Sequence, residues 1–323
     1  MNADLGKDNF TDAELQALRA KVQEIKSAED LSWSQLATES GIAKSTISAF
    51  GEGSYSGNNH KVANEVQRWL NAREEQRKER ARLPDIPAFL ETPTAERITN
   101  LLRWAQTAQD LVVIAGAPGI GKTATAIQYS AITPRCWHAA MAPSTRGVNT
   151  ALVEILDAMG EHDAKGTPQA LSRRVAHRVK DSGALIIIDE AQHLSEQAIE
   201  ELRAIHDRTG VGIVFMGNEE IYSRINGTGR KAAFAQVTSR VGMRLNQPHA
   251  KEGDTRIIAQ AWGVAARSDA MAFLIQIARK PGGLRGVTKT LRLATMLANG
   301  EGDTRSLGHL KEAWSQLSAE AVA

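Results

Sequence analysis

A single cysteine, Cys136, leaves this 323-residue chain with no partner for an internal disulfide and no thiolate cluster for zinc or iron. It reads as a small buried strand residue in a protein of a reducing compartment. No apolar run approaches the roughly 20 residues that cross a bilayer. The opening MNADLGKDNFTDAE has neither the basic start nor the apolar stretch of a signal peptide. A cytoplasmic protein without membrane contact is expected. The eight histidines fall at no metal-ligand spacing with Cys136 or with carboxylates, so His193, close to Asp189 and Glu190, is read as structural. Hydrophobic residues at 42% and charged residues at 24% suit an ordinary globular chain of two or three domains.

Acidic residues are missing from one stretch in particular. Between Ile221 and Lys251 stand Arg224, Arg230, Lys231, Arg240, Arg244 and Lys251 with no Asp or Glu among them. Residues 1–70 lean the other way, with seven Lys/Arg against ten Asp/Glu, a net of −3 inside a chain of net +2. The basic character therefore lies outside the N-terminal region. Such a run is either a solvated face or a surface that meets phosphate, of DNA or of a neighbour's nucleotide.

What is present is a phosphate cradle. The apolar run Leu111 to Ala115 leads into Gly116-Ala117-Pro118-Gly119-Ile120-Gly121-Lys122-Thr123, which spells G-x-x-x-x-G-K-[ST]. A buried strand ends here in a loop whose N–H groups turn toward phosphate oxygens, and a helix opening at Lys122 aims its positive dipole end at them. Glycine is required because side chains would block phosphate from the backbone and because the loop visits positive φ. All eight residues are expected to bind nucleotide.

The rest of the chain reads as four parts. Residues 1–72 contain LSWSQLATESGIAKSTISAFGEG, two short helical patterns joined at Gly41. Leu36, Ala37, Gly41, Ile42, Ile47 and Phe50 fall where a helix-turn-helix needs apolar packing and a left-handed turn. Its exposed residues would be Lys44, Ser45, Thr46 and Ser48, which offer one lysine and no Arg, Asn or Gln for bidentate base contacts. Weak DNA binding with little sequence preference follows, or else a module that docks a protein. Residues 73–93 read as a linker: AREEQRKERAR is the charged, solvent-exposed end of a helical stretch running from Val62 to Arg82, which Pro84, Pro87 and Pro93 stop and extend toward the next domain. Residues 94–250 alternate helix with apolar strand, which implies an α/β fold with a parallel sheet covered by helices on both faces. Strands are expected near Leu111, at Cys136–Ala142, at Leu185–Ile188, at Val211–Met216 and at Met243–Asn246. Residues 251–323 read as a small helical domain.

Asp189 and Glu190 end the strand LIIIDE. Strand ends face the nucleotide crevice in such a sheet, and Mg²⁺ bound with ATP needs an acidic ligand there. Thr123 and Asp189 are the expected metal-holding residues, Lys122 neutralises the β and γ phosphates, and Glu190 polarises the attacking water. Asn218, ending VGIVFMGN, either holds that water and senses the γ-phosphate or is an ordinary turn residue.

GAPGIGKT, IIIDEAQHLS, the strand ending at Asn218 and GGLRGVTKTLRLA together resemble an AAA+ ATPase over about residues 95–310. With an N-terminal helix-turn-helix, and with FMGNEEIYSRINGTGR and FAQVTSRVGMR, the chain looks most like the Mu B family of phage transposition proteins. That resemblance implies an ATP-dependent, largely sequence-nonspecific binder of double-stranded DNA. It would form a homo-oligomer, ring or helical filament, deliver target DNA to a transposase, and hydrolyse ATP to let go. It also implies an arginine finger at Arg240, with Arg224 as competitor, and a second sensor arginine at Arg285. DNA would be gripped by loops of the ATPase domain, at Ser144-Thr145-Arg146 and at Arg230 and Lys231. A different DNA-linked loader, or a regulator using ATP only as a structural ligand, are the alternatives.

Overall fold

The computed structural model describes residues 10–81, 86–226 and 239–319. Two compact units divide after Pro84.

The first unit is four helices, α1 (Asp12–Ala28), α2 (Trp33–Ser40), α3 (Lys44–Gly51) and α4 (Asn59–Ala81). Thr11 and Glu14 close a capping box on α1, and Ser32 and Gln35 close one on α2. Gly41 ends α2 at φ 72°, the left-handed turn expected between the two short helices. Leu36, Ile42, Ile47 and Phe50 enter the core beside Val22 and Val66. Lys44 and Ser45 are exposed and Thr46 and Ser48 half-buried. The charged helix end before the prolines is the second half of α4, where Arg73 reaches back to Glu29 and Glu39.

The second unit carries five parallel strands, β1 (Leu111–Gly116), β2 (Cys136–Ala140), β3 (Leu185–Asp189), β4 (Gly212–Gly217) and β5 (Val241–Gln247), in the order β2-β3-β4-β1-β5. The helices α5 (Pro93–Thr107), α6 (Lys122–Ile132), α7 (Val148–Ala158), α8 (Pro168–Val179), α9 (Glu196–Thr209) and α10 (Glu219–Asn226) accompany it. Side chains alternate faces along each strand. Val113, Ile186, Ile188, Ile213 and Phe215 pack with α7, α8 and α9 residues, whereas Val112, Ile114, Ile187, Val214 and Met216 pack with α5 and α6 residues. Both faces are thus covered, as the uninterrupted apolar strands require. Cys136 is buried in β2, and burial pushes its thiol up to about 12, so it packs rather than reacts.

Four further helices follow the sheet: α11 (Glu252–Ala261), α12 (Asp269–Ala278), α13 (Gly283–Glu301) and α14 (Leu307–Ala319). They share their own core around Leu274, Val287, Leu291 and Leu310, which Ile86 joins. No helix among the described residues is long and apolar enough to cross a membrane.

The seam between sheet and helical bundle is polar and buried. Asp254 of α11, fully buried, accepts from the Thr94 amide (2.9 Å), the Thr94 hydroxyl (2.5 Å) and the Lys251 amide (2.8 Å). Gln247, the last residue of β5, donates to the same Thr94 hydroxyl at 2.7 Å. One carboxylate therefore ties the start of α5, the end of β5 and α11. Asp254→Ala leaves these donors without acceptors in a dry place and is expected to lower unfolding stability by about 3 kcal/mol. Urea denaturation checks this; a loss below about 1 kcal/mol would mean the donors find other acceptors.

Candidate active site

The loop after β1 is held by its backbone. The Ala117 amide donates to Gln247 O (3.2 Å), and a Cβ on Gly116 would meet that same carbonyl at 2.4 Å. Gly119 and Gly121 take φ 82° and 101°, conformations that favour glycine. The Ile120 side chain is buried and anchors the loop. Gly119 also lies against the first turn of α13: its carbonyl accepts from the Leu284 amide (2.9 Å), and a Cβ there would stand 2.1 Å from Gly282 O.

A cavity of about 550 Å³ opens beside this loop. Gly116, Pro118, Gly119, Gly121, Lys122, Thr123, Glu190, Asn218 and Arg285 all line it. Residues far apart in sequence, singled out for nucleotide chemistry, thus meet at one opening at the carboxyl ends of the strands. The remaining walls were not foreseen. Ile86 to Leu90, inside the stretch read as linker, form one apolar side, and Ile258, Trp262, Thr288 and Arg292 come from α11, α13 and the turn between the bundle helices. The boundary after Pro84 assigns those wall residues to the same unit as the loop.

Charge is concentrated at the cradle. Lys122 is 9% exposed and donates to Gly116 O (2.8 Å) and Ala117 O (3.0 Å). Burial pushes its ammonium below the usual lysine range; Asp189 and Glu190 oppose this and Arg285 adds to it. Asp189 is 1% exposed, with Oδ2 2.7 Å from the Thr123 hydroxyl and 3.4 Å from His138 Nε2. Burial raises the Asp189 carboxyl, yet hydrogen bonds from His138, Thr123 and the Glu190 amide outweigh it and hold the group below its usual range. An ionised carboxylate touching a threonine hydroxyl is a hard oxygen pair suited to Mg²⁺. His138 escaped the sequence reading; only the pairing of β2 with β3, in register with Ile187, brings it to Asp189.

Glu190 sits at φ 51°, a left-handed conformation unusual for a residue with a side chain. Its carboxylate accepts from Gln192 Nε2 at 2.5 Å. Asn218 lines the cavity, and its Oδ1 accepts from the Glu220 amide (2.9 Å), capping α10. Arg224 donates to the carbonyls of Gln192 and Leu194 of its own chain, each at 2.8 Å. Arg240 lies elsewhere, at the amino end of β5, 53% exposed and 3.2 Å from Asp207 of α9. Arg146 is exposed, following a 3-10 turn, and lines a second, polar groove with His193, Ser195, Glu196, Glu220 and Arg224. Arg230 and Lys231 lie outside the described residues.

Comparison with known proteins agrees with this geometry. An AAA domain matches residues 105–225, and the family described as Mu B transposition protein, C terminal, matches residues 239–317. The chain is 36% identical over 300 residues to the ATP-dependent target DNA activator B of Escherichia phage Mu, covering 93% of this chain and 95% of that one. The protein of the same description from Escherichia phage D108 matches equally, at 36% over 300 residues. The Mu-like prophage FluMu DNA transposition protein B of Haemophilus influenzae is 32% identical over 271 residues, 84% of this chain and 93% of its own. With the sheet, the loop and the full-length likeness in agreement, the chain belongs to the Mu B family of AAA transposition proteins.

Proposed function

We propose that this protein is an ATP-dependent target-DNA activator that hydrolyses ATP and assembles on double-stranded DNA, largely without regard to sequence. The observation that carries this reading is the convergence of Lys122, Thr123 and Glu190 on one cavity, with Asp189 hydrogen-bonded to Thr123 just behind its wall. Its relatives in phages Mu and D108 bear the description ATP-dependent target DNA activator.

In this mechanism the amides of Gly116 to Thr123 and the Lys122 ammonium bind the β and γ phosphates. Thr123 and Asp189 would hold Mg²⁺, which when bound neutralises phosphate charge. Glu190 accepts the proton of the attacking water, and Asn218 bounds the water's position from the end of β4. Arg285, directly after the Gly119–Leu284 contact, brings a guanidinium to the phosphate side of the cavity. Arg240 directly precedes β5 while the loop follows the end of β1, so within one subunit the two lie at opposite ends of neighbouring parallel strands. A role for Arg240 on phosphate is then a role on a neighbour's nucleotide, with assembly completing the site.

Assembly into a ring or helical filament multiplies weak phosphate contacts by avidity. Exposed Arg146, with Arg230 and Lys231, supplies such contacts from the ATPase unit, and Lys44, Ser45, Thr46 and Ser48 from the N-terminal unit. DNA so held is presented to a transposase, which the protein activates, and loss of the γ-phosphate releases it. This reading has the protein act in the cytoplasm, that of the bacterial host if the chain is phage- or transposon-encoded.

Glu190→Gln is expected to keep nucleotide binding and lower turnover at least ~100-fold, whereas Lys122→Ala loses binding itself. Nucleotide titration and phosphate release measured on both variants check this, and full turnover by Glu190→Gln would remove Glu190 as the base. Arg240→Ala is expected to bind ATP as a monomer and fail to assemble. Electron microscopy with duplex DNA and a non-hydrolysable ATP analogue reads this out; monomers of the unmodified protein under every condition would sink the assembly.

A further inference from the structure

The side chain of Gln192 stands behind Glu190, in the 3-10 turn Ala191–His193 that follows β3. Its Nε2 donates to Glu190 Oε2 at 2.5 Å, and its Oε1 accepts from the Asn218 amide at 3.4 Å. Gln192 does not line the nucleotide cavity; it lines the polar groove on the other side. The amide thus spans the gap between the ends of β3 and β4 and grips the carboxylate from outside.

Two independent features are shaped around that bridge. The first is Gly217, the last residue of β4, whose backbone needs no glycine conformation. A Cβ there would stand 2.3 Å from Gln192 Oε1, so glycine makes room for the amide. The second is Arg224 of α10, whose guanidinium holds the carbonyls of Gln192 and Leu194 at 2.8 Å each and so fixes the turn carrying the amide.

We propose that Gln192 is a positioning residue of the hydrolysis step: it aims the Glu190 carboxylate and couples that aim to the end of β4 through the Asn218 amide. This rests on the reading of Glu190 as the base. An unanchored glutamate samples rotamers that point away from the attacking water, and only the anchored one transfers the proton efficiently. Arg224 then connects α10, through the turn, to the reacting carboxylate.

The test uses the full-length protein and ATP with Mg²⁺. Gln192→Ala is expected to lower kcat about 10-fold with ATP affinity and KM unchanged, the split that distinguishes aim from binding. Gly217→Ala, which keeps Gln192 and displaces its oxygen, is expected to lower kcat in the same direction with binding intact. The double variant is expected to be no slower than Gln192→Ala alone, since both act on one bridge. Unchanged kcat in Gln192→Ala, where Glu190→Gln is inactive, overturns the positioning role alone, as do multiplicative losses in the double variant. Turnover that survives Glu190→Gln overturns the base and this role together. Circular dichroism and nucleotide titration on each variant separate these outcomes from misfolding.

Discussion

The AAA unit depends on a backbone-to-backbone contact between the phosphate loop and the first turn of α13. Gly119 meets Gly282 and Leu284 at a distance that no side chain would survive, and the Leu284 amide closes it with a hydrogen bond. Because Arg285 is the next residue, the contact that seats the loop also sets the arginine. The Asp254 cluster does the same on the other flank, joining α5, β5 and α11, while Gln247 at the end of β5 offers its carbonyl to Ala117. The helical bundle is therefore part of the cradle, and one cavity is walled by sheet and bundle at once.

Electrostatics organise the interior of the cradle before any substrate arrives. A buried ammonium and a buried carboxylate each resist their charged forms, and each is kept ready by specific neighbours: carbonyls for Lys122, and a histidine, a hydroxyl and an amide for Asp189. Low local dielectric strengthens the attraction of such groups for phosphate and metal. Preorganisation of this kind leaves little to rearrange during the reaction.

Much of this was legible in the sequence, and the reasons differ by element. The strands at Leu111, Leu185 and Gly212 are short apolar runs bounded by glycine or acid, which only a doubly covered parallel sheet accommodates. The glycine loop announces itself through spacing that phosphate geometry imposes. The cavity wall at Ile86 to Leu90 was hidden because prolines mark a break in regular structure without saying whether the irregular chain packs. His138 and Gln192 were hidden for another reason. Their roles exist only across strands or around a turn, and single polar residues in a half-apolar string carry no periodic signal. The bundle helices were read correctly as helices, but their share in the cavity depends on the Gly119 contact, which no local pattern encodes.

The left-handed backbone at Glu190 has a meaning for how such a chain can change over generations. Asparagine or glycine would occupy that conformation with less strain, so substitutions that ease folding at this position are close at hand and remove the carboxylate. Stability and chemistry pull in opposite directions at one residue. A lineage released from the need for that carboxylate would drift there first, keeping its sheet and cradle.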